Sequence, residues 1–494
     1  MNLFAHGIYI LSVAAIASTV PSTAFSGGAG VFLTLGVIGL WRYSWAFVNF
    51  ARAHFYIRIA YPRRRAAAEA LYSQRRPAHA FFLATSYKIE AAITTRVYRS
   101  IFQAARRSPG GSTVVASVVD VADERLIRAV AAQVLAGIDT VEVVIDRIDG
   151  TGKRDALATS LRSIARRYPS SDDVVLLIDG DTQIPADIVE RAAPFFAGGK
   201  VGALTTHERA EIDDAPLFRD WFKLRFTQRQ MMMSAVALGG RVLTLTGRMS
   251  VFRADLATNP EFIASVEQDY IDHWRLGRVK FLTGDDKSTW FWLLKNGYEM
   301  AYLPDVACVS METQPKPGFV ESAVTLMRRW FGNMLRTNAR ALALSPTRIG
   351  FFAWWSILDQ RVSMWTTLTA PVGIVLFSIF VDPLIAVAYI AWVMATRYAY
   401  CWLLATFGGP FPITYPFLLY FGQLFGAAIK TSVMFRLDRQ RWTRQSTSIG
   451  GAVGAAGRIR SLTSGYMHVL ALGLLVAGVI FVTGLLSPFP IHAN

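Results

Sequence analysis

Residues Val174 to Pro185 read VVLLIDGDTQIP, and this stretch decides the fold. Five successive apolar residues, Val174, Val175, Leu176, Leu177 and Ile178, predict a strand buried on both faces, because a half-exposed strand would alternate polar with apolar. The run stops at Asp179, Gly180 and Asp181. Carboxylates therefore lie at the carboxyl end of a strand, where open α/β sheets bind ligands. Two acids about a glycine suit a hard divalent cation held against a nucleotide diphosphate. Taken alone, D-G-D reads equally well as an acidic turn closing a strand; the motifs that accompany it decide.

Upstream, HAFFLATS (79–86), TVVASVV (113–119) and VEVVID (141–146) have the same character, with helical patterns at 123–136 and 155–168. Alternation of this kind predicts parallel strands with crossover helices, a nucleotide-binding α/β domain over roughly residues 77–300. Before the D-G-D strand, Gly150, Thr151, Gly152, Lys153, Arg154 and Asp155 open a helix with adjacent cations. Such a start suits phosphate, although it lacks Walker spacing and exposed helix charges would look the same. Downstream, residues 221–233 form an amphipathic helix whose Met231, Met232 and Met233 read as core or interface filler. RVLTLTGRMSVFR (241–253) places Thr246 and Gly247 in a turn between two strand-like runs. In KFLTGDDKSTWFWLLKNGY (280–298) an extended run ends in Gly284, Asp285 and Asp286, and Lys287 starts a helix. Adjacent carboxylates do not both ionise freely, so one is expected to keep its proton longer and serve as a base; helix capping is the plainer explanation.

Composition adds a membrane. An apolar content of 53% over 494 residues is too high for a purely soluble chain, as is the mean hydropathy of +0.33. Two cysteines, Cys308 and Cys401, provide no disulfide framework and point to a reducing compartment. The net charge of +16 is assigned first to Lys/Arg loops beside membrane spans and then to anionic substrates and a polyanionic product; nothing calls for nucleic acid. Spans are expected at 6–20, 30–50, 363–381, 384–406 and 465–487, with the arginines between 52 and 65 on the cytoplasmic side. Residues 324–344 are expected to lie along the membrane surface. The interrupted run 412–435 is expected to be interfacial or re-entrant, since crossing would carry Arg436, Arg439, Arg441, Arg444, Arg458 and Arg460 outside. The expected division is two transmembrane helices in 1–55, a cytoplasmic domain in 56–323, interfacial helices in 324–362, two transmembrane helices in 363–406, the re-entrant segment and a basic loop in 407–464, and a last span with its tail in 465–494.

The ordered set D-G-D (179–181), T-G-R-M-S-V-F-R (246–253), G-D-D-K (284–287), R-W (329–330) and W-T-R (442–444), flanked by membrane helices, resembles the processive family 2 glycosyltransferases. Cellulose, chitin and hyaluronan synthases belong to that group. Within it the chain looks most like the alginate polymerase branch, the mannuronan synthases. The stretches RIDGTGKRDALA, VLTLTGRMSVFRA, FLTGDDKSTWF, LDQRVSMW and FRLDRQRWTRQ carry that likeness, from about Tyr43 to Thr447.

The resemblance implies a GT-A-like α/β nucleotide-sugar-binding domain, cytoplasmic and inserted between transmembrane α-helices of a bacterial inner membrane. It implies Asp179 and Asp181 as the pair holding the diphosphate and Mg²⁺ or Mn²⁺, with Asp181 the direct ligand, and Asp286 as general base. It gives Lys153 and Arg154 as cations near the nucleotide, and Asp120 or Asp123 as a loose counterpart of the base-contacting aspartate. Arg329 falls on the diphosphate, and Trp330 with Thr246, Gly247 and Asp285 on the acceptor, although Leu326 stands where the family's motif has glutamine. Trp442, Thr443 and Arg444 match a gating loop that lacks its glycine here. GDP-mannuronic acid as donor, a growing β-1,4-linked polysaccharide as acceptor and product, and a PilZ-type cyclic di-GMP-binding co-polymerase as partner follow from the same likeness. Arg248, Lys287, His273 and the arginines after 324 are the expected cations along the polymer's route. A sister synthase using a UDP-sugar would need the same catalytic residues. A transport or scaffold protein with a regulatory nucleotide domain is the alternative of another class.

Overall fold

The computed structural model describes residues 2–22, 29–213, 215–442, 447–449 and 454–485. Among these, eight strands form one mixed sheet: β1 (Ala80–Thr85), β2 (Ser112–Val118), β3 (Val141–Arg147), β4 (Val174–Asp179), β5 (Thr182–Gln183), β6 (Val201–Glu211), β7 (Met249–Arg253) and, after a separate ribbon of β8 (Tyr270–His273) and β9 (Gly277–Lys280), β10 (Glu299–Met311). Their order is β3-β2-β1-β4-β7-β6-β10-β5. The four strands expected from their apolar runs are the parallel block β3-β2-β1-β4. In β1, β2 and β4 the residues are almost wholly buried, which is why these runs carry no polar alternation. Helices Ala91–Arg107 and Lys153–Ala165 pack on this block, the first burying Val97, Tyr98, Ile101 and Phe102 and the second Leu157, Leu161 and Ile164.

One reversed strand changes what meets at the sheet's carboxyl edge. β7 runs antiparallel to β4, pairing Ile178 with Met249 and Val174 with Arg253. Its amino end therefore lies beside the carboxyl end of β4, and the Asp179 amide donates to the Arg248 carbonyl at 2.9 Å. The run 241–245, expected to be strand-like, is instead irregular; the turn expected at Thr246 and Gly247 closes on itself, with Ser250 Oγ accepting from the Thr246 amide (3.0 Å) and donating to the Thr246 carbonyl (2.9 Å). At the far end, β10 pins the residues after D-G-D, with the Met311 amide donating to the Asp181 carbonyl at 2.8 Å.

Beneath the sheet lies a second apolar cluster, built by helices Pro216–Ala237 and Phe319–Leu342 with the later apolar helices. Trp221, Phe218, Met327 and Phe331 pack there with Leu404, Tyr415, Leu419 and Ile429. The methionine triplet joins the two cores: Met233 belongs to the sheet core, Met231 to the lower one, and Met232 packs against both. Four helices among the described residues are long and apolar enough to cross a membrane: Phe351–Phe380, Leu384–Gly408, Tyr415–Met434 and Gly454–Thr483. The third covers the run expected to be interrupted, and it is one continuous helix. Its prolines do not break it, because Pro416 occupies the first turn, where no amide donor is required. Both of its ends are tied to the layer under the sheet: Thr414 donates to Asp220 (2.9 Å), and past the other end Arg336 donates to the Leu437 carbonyl (3.1 Å). On the amino-terminal side, helix Ala29–Phe55 runs without a loop through a wide π-helical turn, Tyr56–Ala60, into helix Tyr61–Tyr72, which packs on the 3₁₀ turn Ala193–Phe196.

Gly180 sits where no side chain fits, since an added Cβ would come within 2.6 Å of Ile89 and 2.7 Å of the Thr85 carbonyl oxygen. Gly180→Ala is therefore expected to destabilise the protein by about 1–3 kcal/mol, the usual cost of overpacking. Thermal unfolding of the detergent-solubilised protein checks this, and an unchanged midpoint would contradict such close packing.

Candidate active site

The glycine-opened helix start is realised: Gly152 precedes helix Lys153–Ala165, so Lys153 stands at its first position, at the carboxyl ends of β1 and β4. Its ammonium bridges two carboxylates far apart in sequence, Asp179 Oδ1 at 2.6 Å and Asp285 Oδ2 at 3.1 Å. A Cβ on Gly247 would lie 3.3 Å from the Lys153 Nζ and 3.5 Å from Asp179 Oδ2, so the backbone of the T-G turn lies against this ion pair. Lys153, Asp179, Thr246, Gly247, Asp285 and Asp286 line one cleft. A second depression shares Lys153 and Asp179 and continues along Ser86, Ser117, Val119 and Gly150 at the ends of β1, β2 and β3. Asp120 stands just before helix Val121–Val134 with its side chain exposed and making no capping bond, and Asp123 lies one turn further on.

Electrostatics separates the two neighbouring acids. Burial alone would raise Asp285, but Lys153 and Arg154 outweigh it and hold that carboxyl below its ordinary value. Asp286 is pushed up to about 6, by burial first and then by the Asp285 charge. Asp179 is raised by burial, with Asp181 and Asp285 adding to the effect, against the pull of Lys153. Burial would lower Lys153, yet its two carboxylates raise it, so it stays charged throughout the physiological range.

The backbone around Asp285 and Asp286 is held from three sides. The helix begins at Asp285, two residues before the expected Lys287, because Gly284 takes a left-handed conformation (φ 89°) that ends the extended run there. Asn333 presses on Gly284 from helix Phe319–Leu342 and accepts from the Thr283 hydroxyl at 2.9 Å. Arg154, expected near the nucleotide, is buried away from the cleft: it donates to the Val266 carbonyl (2.7 Å), the Thr283 carbonyl (3.3 Å) and Ser288 Oγ (3.0 Å). It buttresses the acidic pair instead of facing it, because the helix turns consecutive residues about 100° apart. Arg329 lies one helical turn before Asn333, on the face that meets Gly284. Trp330 is half-buried and stacks on Trp221, with centroids 5.7 Å apart. The Thr246 hydroxyl donates to the Met249 carbonyl at 3.2 Å, so it serves the turn first. Asp285, expected with the acceptor, is instead the second partner of Lys153. Trp442 ends the short strand Gln440–Trp442, and Thr443 and Arg444 lie outside the described residues.

A buried network was not foreseen from the sequence. Glu208, 1% exposed in the middle of β6, faces Arg229 (3.6 Å) and Arg248 (3.5 Å), and Arg248 pairs with Glu312 at 2.6 Å. The available signal was an acid inside the strand-like run Val201–Glu211. Asp269 is a second such residue, held by Arg340 at 2.7 Å on the far side of Ser288.

A parallel block with a reversed strand beside it, acids at the strand end and a carboxylate pair across the cleft, is the architecture of a GT-A-like nucleotide-sugar glycosyltransferase. The family model "Glycosyltransferase like family 2" matches residues 77–333, and the chain belongs to that family. Over 443 residues it is 41% identical to Glycosyltransferase alg8 of Pseudomonas syringae pv. tomato, covering 89% of this chain and 90% of the relative. Over 436 residues it is 42% identical to Glycosyltransferase alg8 of Azotobacter vinelandii, covering 88% of each. This is an alginate-related glycosyltransferase with apolar helices suited to membrane insertion. Among solved structures it is similar to the mannosyltransferase PcManGT from Pyrobaculum calidifontis in complex with GDP-Man and Mn²⁺, at a TM-score of 0.42 and 18% identity, over 78% of this chain and 97% of that one.

Lys153→Met leaves two facing carboxylates without their shared cation. A loss of ~1–3 kcal/mol is expected, less than for a fully enclosed pair because all three groups keep some solvent contact. Denaturation of the purified protein measures it, and a variant as stable as the parent would show that the bridge is dispensable.

Proposed function

We propose that the chain is a processive, inverting glycosyltransferase that builds β-1,4-linked mannuronate from GDP-mannuronic acid and passes the polymer across the bacterial inner membrane. The observation that carries this reading is the Lys153 bridge, which brings the D-G-D and G-D-D carboxylates to one cleft. In the reaction, Asp286 accepts the proton of the acceptor's 4-hydroxyl as that oxygen attacks the anomeric carbon. The bond from that carbon to the diphosphate oxygen breaks, its electron pair leaves with GDP, and the configuration inverts. Lys153 and Arg329 are the cations offered to the departing diphosphate, and Trp330 is the platform for the acceptor sugar. Trp442, Thr443 and Arg444 are assigned to the loop that closes over the donor, and Asp120 to the nucleotide's base.

Asp179 and Asp181 supply hard oxygen donors, and magnesium characteristically takes one or two carboxylates together with substrate phosphates. The donor set therefore fits Mg²⁺ or Mn²⁺, with Asp181 assigned as the direct ligand from the family likeness. A bound cation would offset the charge of the diphosphate. The ties at both ends of helix Tyr415–Met434 support its lying along one side of the membrane, with five other helices crossing, the sheet domain cytoplasmic and the final residues outside. A PilZ-type cyclic di-GMP-binding co-polymerase is assigned as partner from the alginate likeness.

Asp286→Asn is expected to lower polymer formation in membranes supplied with GDP-mannuronate by roughly 10²- to 10⁴-fold, the usual contribution of a positioned base. A variant of full yield would remove Asp286 from that role. With its carboxyl pushed up to about 6, the parent's rate should fall as pH drops through that value, where the base takes up its proton. Asp285→Asn removes the neighbouring charge and should move this acid limb to lower pH, as a pH–rate profile would record.

A further inference from the structure

Three of the cations expected to line a polymer's route have partners of their own. Arg248 is paired with Glu312, Lys287 donates to the Leu243 carbonyl at 3.0 Å, and His273 accepts from the backbone of Arg275 and Leu276. A different set, drawn from four helices, runs from the acceptor platform into the apolar bundle. The Arg225 guanidinium lies over Trp330 (4.7 Å) and Trp221 (5.1 Å) and has no acidic partner among the described residues. Lys430 follows, 4.7 Å over the ring of Phe331, within the fields of Arg225, Arg42 and Asp359 and without an ion pair among the described residues. Arg42 pairs with Asp359. Among the described residues Arg397 donates to neutral groups, Gln423 (2.7 Å), Tyr43 (3.2 Å) and Thr396 (3.0 Å), and Tyr400 stands within the fields of both Arg397 and Arg42.

Four cations thus converge with one carboxylate among them. Uncompensated charge packed among apolar helices is costly and marks a path for ions or substrate. Lipid headgroups do not explain Arg42 and Arg397, which turn onto groups of this chain, Asp359 for the first and Gln423 and Tyr43 for the second. Arg42 and Arg397 sit near the middle of helices Ala29–Phe55 and Leu384–Gly408, roughly 16–20 Å from either end at the helical rise. We propose that Arg225, Lys430, Arg42 and Arg397 form the carboxylate-reading lining of the polymer path, so that the enzyme selects a polyuronate chain by its charge after the acceptor site as well as by its donor. This rests on the polymerase reading. Excess positive charge stabilises each carboxylate of the passing chain, while Gln423 and the hydroxyls of Tyr389 and Tyr420, 3.3 Å apart with the Tyr420 ring 5.9 Å from the Arg397 guanidinium, offer partners to its hydroxyls.

The test uses the full chain in nanodiscs, with a β-1,4-linked hexamannuronate and cellohexaose as probes and binding followed by tryptophan fluorescence. The parent should prefer the uronate, and the preference should shrink as salt screens it. The double variant Arg225→Gln/Lys430→Gln should reduce the preference by roughly tenfold or more, the size of a charge-assisted contact. Arg225→Lys/Lys430→Arg, which keeps both charges, should retain it. Equal binding of the two probes by the parent, or a preference untouched by the glutamine variants, would overturn the proposal. Should the double variants fail to fold, Arg397→Gln alone decides by the same ratio. GDP-mannuronate turnover by the parent is measured in parallel. Turnover without a charge preference sinks the cationic path and leaves the polymerase standing, whereas a preference lost in the glutamine variants without any turnover supports the path and sinks the donor assignment.

Discussion

A single ammonium group fixes the geometry on which the site depends. Lys153 holds Asp179, at the end of β4, against Asp285, at the start of a helix more than a hundred residues later. Neither carboxylate would remain beside the other without it, because like charges in a partly dry cleft repel. The same cation divides the labour of the G-D-D motif. By keeping Asp285 ionised it places a fixed negative charge beside Asp286, and that charge adds to burial in lifting Asp286 toward neutrality. An acid that titrates in this range suits the role of base proposed for Asp286. Arg154 and Asn333 fix the backbone on which the pair sits, so the arrangement is built before substrate arrives.

The layer of helices under the sheet makes the cleft and the apolar bundle one packed unit. Phe319–Leu342 carries Asn333 against Gly284, Trp330 against Trp221, and Phe331 beneath Lys430. Consecutive faces of one helix therefore touch the acidic pair, the aromatic platform and the basic residues of the bundle. The neighbouring helix Pro216–Ala237 is clasped as closely, since an added Cβ on Gly408 would come within 2.6 Å of Thr227. Sliding between these layers would break packing in both apolar cores at once, because Met231, Met232 and Met233 belong to each in turn.

Much of this was legible in the chain. Strands buried on both faces announce themselves as unbroken apolar runs, and β1, β2 and β4 were found within a residue or so of their ends for that reason, while half-buried β3 was found from the valines and isoleucine of VEVVID. β6 and β10 were not, because each mixes threonine, alanine and charged residues and shows neither a clean run nor a clean alternation. Glu208 is the instructive case: a carboxylate inside a strand argues against burial until Arg229 and Arg248 are known to meet it, and those partners lie too far along the chain for local pattern to reveal. The acidic motifs were visible as strand endings, but not that Asp285 would be the second partner of Lys153. Arg154 shows the limit of motif reasoning, since adjacency to Lys153 in sequence guaranteed a different direction in space. The continuity of Tyr415–Met434 was hidden by Pro412, which precedes the helix, and Pro416, which a helix accepts in its first turn.

The wide turn at Tyr56–Ala60 has a mechanical meaning. Helix Ala29–Phe55 enters it from the apolar bundle and helix Tyr61–Tyr72 leaves it along the back of the sheet, with no slack residue between. The Tyr56 hydroxyl locks onto the Tyr302 carbonyl at 2.6 Å, and Tyr61 lies flat against Phe195. The rod acts as a keel. The catalytic head cannot swivel about its mooring without tearing that clasp, so the orientation of the cleft relative to the apolar bundle is set by the stiffness of one unbroken helical rod.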